Sequence, residues 1–153
     1  MGMVLLIIFL GLIADRVTKL WALKALKDGS DVVIIKNIFS FSYLENRGAA
    51  FGILQNKVVF LAILTIAMTI AMIFYIYKFK PQSRLLKASL ALIIAGAIGN
   101  LYDRIFYKYV VDFILLHYKD VYYFPTFNVA DMLVVFGTII LALCIIKEDY
   151  NGK

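Results

Sequence analysis

The chain has 153 residues, 63% of them hydrophobic and only 17% charged, against roughly 45–50% apolar and about 25% charged in soluble proteins, so neither a soluble globular domain nor a disordered chain fits. A net charge of +6 is read as a topology signal rather than as a nucleic-acid-binding face, because the basic residues lie beside long apolar runs. One cysteine, Cys144, and one histidine, His117, exclude a disulfide framework and a zinc site of the usual kind.

In chain order, Met3 to Ala14 is wholly apolar and is followed by Asp15, Arg16, Lys19 and Lys24. A cleaved signal peptide has a basic stretch before its apolar run. Here the charges come after it, so a spanning helix with a polar outer half is predicted over about 4–23. The segment from about 27 to 57 is β-rich: Val32 to Ile35 is β-branched, and Phe39, Phe41 and Tyr43 alternate with Ser40 and Ser42. That period of two predicts a short sheet with one greasy face, suited to lie on a membrane surface. Val58 to Tyr77 carries no charge and is the clearest span, since about 20 apolar helical residues cross a bilayer.

Lys78, Lys80, Arg84 and Lys87 then fall within a stretch free of acids, which assigns this loop to the cytoplasm. Leu85 to Leu101 is a third span, and Gly96, Ala97 and Gly99 suit close approach of helix backbones. Between 102 and 127, Tyr118, Tyr122, Tyr123 and Phe124 match an interfacial aromatic belt. Asn128 to Ile146 is the fourth span, with one charge, Asp131. The fold class is therefore a four-helix membrane protein with a small extracytoplasmic sheet, one domain over 1–153, and both termini in the cytoplasm. No internal repeat is visible.

Ionisable groups in a bilayer are costly, by about 2.5–3.5 kcal/mol at a helix centre, and mark candidate functional positions. Asp15 and Lys19 are four apart and share a helix face, which favours a structural ion pair. Asn46 and Arg47 precede Gly48 and Gly52, glycines that permit tight turns; alone this is a generic loop. Asn100 and Asp103 share a face at the outer end of the third helix. Spacing alone serves a helix exit capped by polar groups equally well, with Arg104 balancing charge there. Asp112 stands alone in the apolar run Val110 to Ile114. Asn128 suits a helix N-cap, and Asp131, three residues on, completes a near capping box. Asp112 and Asp131 are both tethered to the outer face. Two carboxylates sharing a site separate their pKa values, which suits general acid–base attack of water on an amide. No nucleophile elbow, zinc-protease helix motif or Cys–His pair competes.

Taken together and in this order, Asp15-Arg16-Val17-Thr18-Lys19, Asn46-Arg47-Gly48-Ala49-Ala50-Phe51, Gly99 to Arg104, Val111-Asp112-Phe113 and Phe127 to Asp131 resemble the lipoprotein signal peptidase (signal peptidase II) family. The resemblance covers nearly the whole chain. It implies a bacterial inner-membrane aspartyl endopeptidase with an extracytoplasmic β-cradle. Its substrate would be a prolipoprotein, cut on the amino side of a diacylglyceryl-modified cysteine. It implies Asp112 and Asp131 as catalytic, Asn46 and Arg104 as substrate contacts, and Asp15, Lys19, Gly48, Asn100, Asp103 and Asn128 as substrate-binding or supporting positions. No cofactor is implied, and the partners are the substrate and membrane lipids, with a monomer expected. One position departs from the family pattern, Arg16, where glutamine is usual. Two other readings of the same acids are a proton relay in a small transporter, which would place acids through the membrane depth, and a non-enzymatic scaffold, in which both acids are dispensable.

Overall fold

The computed structural model describes residues 1–29, 31–49, 53–119 and 121–151, with side chains described through residue 147. Ala50, Phe51 and Gly52 of the predicted turn segment, and Asp120, lie outside the described residues. The chain runs α1 (Gly2–Ala25), β1 (Val32–Ile35), β2 (Phe39–Asn46), α2 (Val58–Phe79), α3 (Arg84–Phe106), β3 (Val110–Tyr118), β4 (Tyr122–Tyr123) and α4 (Val129–Asn151).

The four predicted helices are present, and α3 runs to Phe106 where the sequence suggested an end near Leu101. A polar-capped exit from the membrane is one of two readings that the spacing leaves open for Asp103 and Arg104. Instead Asp103 is fully buried and ion-paired, so the backbone stays helical through it. At the other end of α3 the Ser83 hydroxyl caps the helix by accepting from the Leu86 amide at 3.2 Å. Three helices, α2, α3 and the Val129–Lys147 part of α4, are long and apolar enough to cross a membrane. The apolar run of α1 is interrupted by Asp15, Arg16 and Lys19, though the helix itself is continuous. Its buried residues are Val4, Gly11, Asp15, Lys19 and Ala22, which form one stripe at helical spacing. Its outward side shows Leu5, Leu6, Phe9, Leu10, Ile13 and Val17. The helix thus turns charge inward and hydrocarbon outward, the reverse of a helix in a soluble protein.

α3 packs against each of the other helices and forms the middle of the bundle. Small residues let it do so. A methyl group added at Gly96 would stand 2.2 Å from the Ala130 carbonyl oxygen and 2.8 Å from Val134, and one added at Gly137 would meet the Ser89 carbonyl at 2.8 Å. Backbone-to-backbone approach of this kind replaces the hydrophobic drive that helices lack in lipid. Away from the polar end, Val4, Ile76, Leu86, Leu90, Ala91 and Ile94 form an apolar core between α1, α2 and α3.

The sheet is antiparallel throughout, with strand order β1-β2-β3-β4. The predicted β-rich segment supplies only its first two strands. β3 and β4 come from the second long loop, in which the sequence showed an aromatic belt but no strand. Val110 to Phe113 are all buried, so β3 starts without the alternation that marks a half-exposed strand. The aromatic face of the sheet packs on the end of α1, where Trp21 stands edge-on to Phe41 at 5.1 Å and to Phe113 at 6.0 Å. Gly96→Ala is expected to destabilise the bundle by about 1–3 kcal/mol through overpacking. A lowered thermal midpoint in detergent checks this, and an unchanged midpoint would contradict it.

Candidate active site

Lys19 lies fully buried where α1 crosses α3. Its ammonium is 3.0 Å from Asp15 Oδ2, 3.0 Å from Asp103 Oδ2 and 2.9 Å from Asn100 Oδ1, so all three of its protons have an acceptor. Each carboxylate serves a second element. Asp15 Oδ1 accepts from the Ala130 amide in the first turn of α4 at 3.0 Å, a position where the helix dipole favours an anion. Asp103 Oδ2 accepts from the Val111 amide at 3.2 Å, at the start of β3. Asp103 Oδ1 accepts from Arg16 at 3.0 Å. This one cluster therefore ties α1, α3, α4 and β3 together.

The two carboxylates singled out from the sequence meet beside it, and asparagine amides join them. Asn128 Nδ2 donates to Asp112 Oδ1 at 2.6 Å, while the Asn128 backbone amide donates to Asp131 Oδ2 at 3.1 Å. Asn128 Oδ1 accepts from the Asp131 amide at 2.9 Å, so the predicted reciprocal cap of α4 is present. The Asn128 backbone amide thus serves both the cap and the link to Asp131, while its side-chain nitrogen reaches Asp112. The other Asp131 oxygen accepts from Asn100 Nδ2 at 2.7 Å. Lys19 and Asn128 Nδ2 both donate to Asn100 Oδ1, which leaves the Asn100 amide only one orientation, nitrogen toward Asp131.

A bulge in the sheet decides what faces Asp112. β2 and β3 pair Phe41 with Ile114 and then Leu44 with Asp112, so β2 carries one extra residue between these pairs. Without it the alternation would set Glu45 on the Asp112 face; with it Asn46 stands there. Asn46 Nδ2 donates to Asp112 Oδ2 at 2.9 Å, and its Oδ1 accepts from the Gly48 amide at 2.9 Å, which orients the amide. Gly48 has no room for a side chain, since a Cβ would lie 2.7 Å from the Ile53 carbonyl oxygen. Arg104 donates to the Gly48 carbonyl at 3.3 Å and faces the charges of Asp131, Asp112 and Asp103.

Asp112 is almost fully buried and Asp131 is partly open. Burial, and then the neighbouring Asp131 charge, push the Asp112 carboxyl up to about 7, against the pull of Asn46, Asn128 and Lys19. Four carboxylates (Asp15, Asp103, Asp112 and Asp131) stand among three cations (Arg16, Lys19 and Arg104). One proton held by the Asp112–Asp131 pair makes the cluster neutral. All ten residues singled out from the sequence gather at this end of the bundle. The sequence did not show that Arg16, Tyr107 and the Val111 amide join them. Position 16, next to Asp15 on a helix, does not share its face, and nothing local marks a backbone amide as a ligand.

The signal peptidase (SPase) II family matches residues 7–147 of the chain. A lipoprotein signal peptidase of Clostridium novyi is 60% identical over 146 residues, which cover 95% of this chain and 99% of that protein. One from Clostridium tetani is 60% identical over 147 residues, 96% of this chain and 94% of that protein. A solved bacterial membrane enzyme, determined by the in meso method, superposes with a TM-score of 0.91 at 33% identity over 100% of this chain and 93% of that one. Fold, apolar helices and family match define a multi-pass membrane peptidase. The chain belongs to the signal peptidase II family, as the five sequence segments suggested.

Removing the ammonium should expose how much the cluster depends on it. Lys19→Met would leave Asp15 and Asp103 buried without their shared cation, and a loss of about 3–5 kcal/mol is expected, as for other broken buried pairs. Equilibrium unfolding in mixed micelles measures it, and stability equal to wild type would contradict this account of the cluster.

Proposed function

We propose that this peptidase removes signal peptides from diacylglyceryl-modified prolipoproteins, cutting on the amino side of the lipidated cysteine, with Asp112 and Asp131 as its catalytic pair. The observation that carries this reading is Asn128, which donates to both carboxylates and holds them as one unit. A relay through the bilayer would need acids at successive depths, whereas these sit together at one end of the bundle.

The chemistry follows from the difference between the two environments. Asp131, partly open, takes a proton from water as the hydroxide oxygen bonds to the scissile carbonyl carbon. Asp112, with its carboxyl pushed up to about 7, carries the shared proton and gives it to the carbonyl oxygen. In the second half Asp112 recovers a proton from one hydroxyl of the tetrahedral diol as the C–N bond breaks, and Asp131 delivers its proton to the departing cysteine nitrogen. The products are a peptide carboxylic acid and a free α-amino group, and the pair returns to a single proton. Asn46, Gly48 and Arg104 face the substrate side. Asp15, Lys19, Asn100, Asp103 and Asn128 hold the pair in place, and no cofactor enters the scheme.

All four helices span the bacterial cytoplasmic membrane in this reading, α1 included, because its outward side is hydrocarbon and its charges are paired inside. The basic loop between α2 and α3 supports a topology with both termini in the cytoplasm and the site on the outer face. The sheet lies in the headgroup layer, where its exposed Val33, Ile34, Ile35, Val121 and Tyr122 meet lipid. One monomeric domain suffices: the lipid tails of the substrate stay in the bilayer while the scissile bond meets water at its edge.

Asp112→Asn and Asp131→Asn are each expected to lower cleavage of a diacylated lipobox peptide by about 10²–10⁴-fold or more with the fold retained; full turnover by either variant sinks the pair. The rate should fall as pH rises through about 7, because the proton on Asp112 is then lost. A rate that keeps climbing past pH 9 contradicts the assignment. Reporter fusions after Lys80 should read cytoplasmic and those after Lys119 external; the reverse would set the carboxylates on the wrong face.

A further inference from the structure

We propose that Arg16 is a positioning residue for the cleavage step: by holding one oxygen of Asp103 it frees the other for Lys19 and the Val111 amide, and so sets both carboxylates of the pair. The proposal rests on the reading of Asp112 and Asp131 as catalytic.

Arg16 touches neither member of the pair. Its Nη1 donates to Asp103 Oδ1 at 3.0 Å, and its Nη2 donates to the Tyr107 hydroxyl. The guanidinium lies over the Tyr102 ring, 4.6 Å from its centroid, and over the Tyr107 ring at 5.3 Å. Two aromatic faces and two fixed acceptors leave the planar group one pose, a match that a lysine ammonium does not reproduce.

Two routes lead from Asp103 to the pair. Its Oδ2 accepts from the Val111 amide, the residue before Asp112, so Asp103 anchors the start of β3. The same oxygen accepts from Lys19, which donates onward to Asn100 Oδ1 and so turns the Asn100 amide nitrogen toward Asp131. With Arg16 present, Asp15 and Asp103 face two cations. Without it they compete for Lys19 alone. The ammonium then has less field to offer the pair, and the Asn100 amide loses one of the two donors that orient it.

The charged groups of the cluster are Asp15, Arg16 and Lys19 from α1, Asp103 and Arg104 from α3, and Asp112 and Asp131 from β3 and α4, with the neutral Asn46 facing Asp112 from β2. Loss of one cation from this set favours protonated carboxyls, so the alkaline limb of the rate profile moves to higher pH.

The test uses the full-length enzyme in detergent, with a diacylated lipobox peptide and kcat and KM measured from pH 5 to 9 for R16Q, R16A and R16K. R16Q and R16A are expected to lower kcat on the order of ten- to a hundredfold at unchanged KM, as displaced catalytic groups do. Their alkaline limb should shift upward, and R16K, which restores charge without the planar fork, should return the limb but not the full kcat. A folded R16Q with wild-type kcat and wild-type pH limbs overturns the proposal, as does a change confined to KM or a loss fully matched by a smaller folded fraction. Asp112→Asn and Asp131→Asn run alongside: if either is active the catalytic pair falls, and if both are dead while R16Q is normal, Arg16 alone falls.

Discussion

A buried ammonium is the point from which the polar end of the molecule is built. Lys19 has no exposure to solvent, and Asp15, Asp103 and Asn100 surround its ammonium, offsetting the cost of burying a charge. Its partners then fix four elements at once, since Asp15 reaches the first turn of α4 and Asp103 reaches the first residues of β3. The helices bury charge at this end and pack glycine against backbone along their length. Both devices suit a protein whose outer surface is hydrocarbon.

The pair of carboxylates inherits its geometry from this frame. Asp112 arrives on a strand anchored by Asp103, and Asp131 arrives in the first turn of a helix anchored by Asp15. Three asparagines then orient them, and each amide is itself oriented through its oxygen: Asn46 by the Gly48 amide, Asn100 by Lys19 and Asn128, and Asn128 by the Asp131 amide. Amides suit this task because they donate and accept hydrogen bonds without adding a titratable charge beside the acids. The bulge in β2 belongs to the same design, since it replaces an acid by an amide beside Asp112.

In the proposed reading, the outward apolar surface and the inward charges let water-dependent chemistry sit at a membrane edge. The proposed reaction needs one carboxyl protonated and one ionised. Asp112 is the more buried of the two carboxylates and Asp131 the more open to solvent, which suits that proposed division of roles.

Long apolar runs were enough to mark the four helices, three of them long and apolar enough to cross a bilayer, because such a span needs only length and hydropathy. Spacing of three and four was enough for the Asp15–Lys19 pair and the Asn128–Asp131 cap, since helix geometry makes those neighbours local. The motif order was enough for the family. Tertiary structure alone decided the rest. The end of α3, the strand at 110–118, the bulge that selects Asn46 over Glu45, and the recruitment of Arg16 and the Val111 amide all depend on partners distant in the chain. Arg16 and Asp103 are 87 residues apart and Asn46 and Asp112 are 66 apart. A single sequence carries no local period or cap that records such a contact, because the free energy that holds it arises only when the two elements have already met.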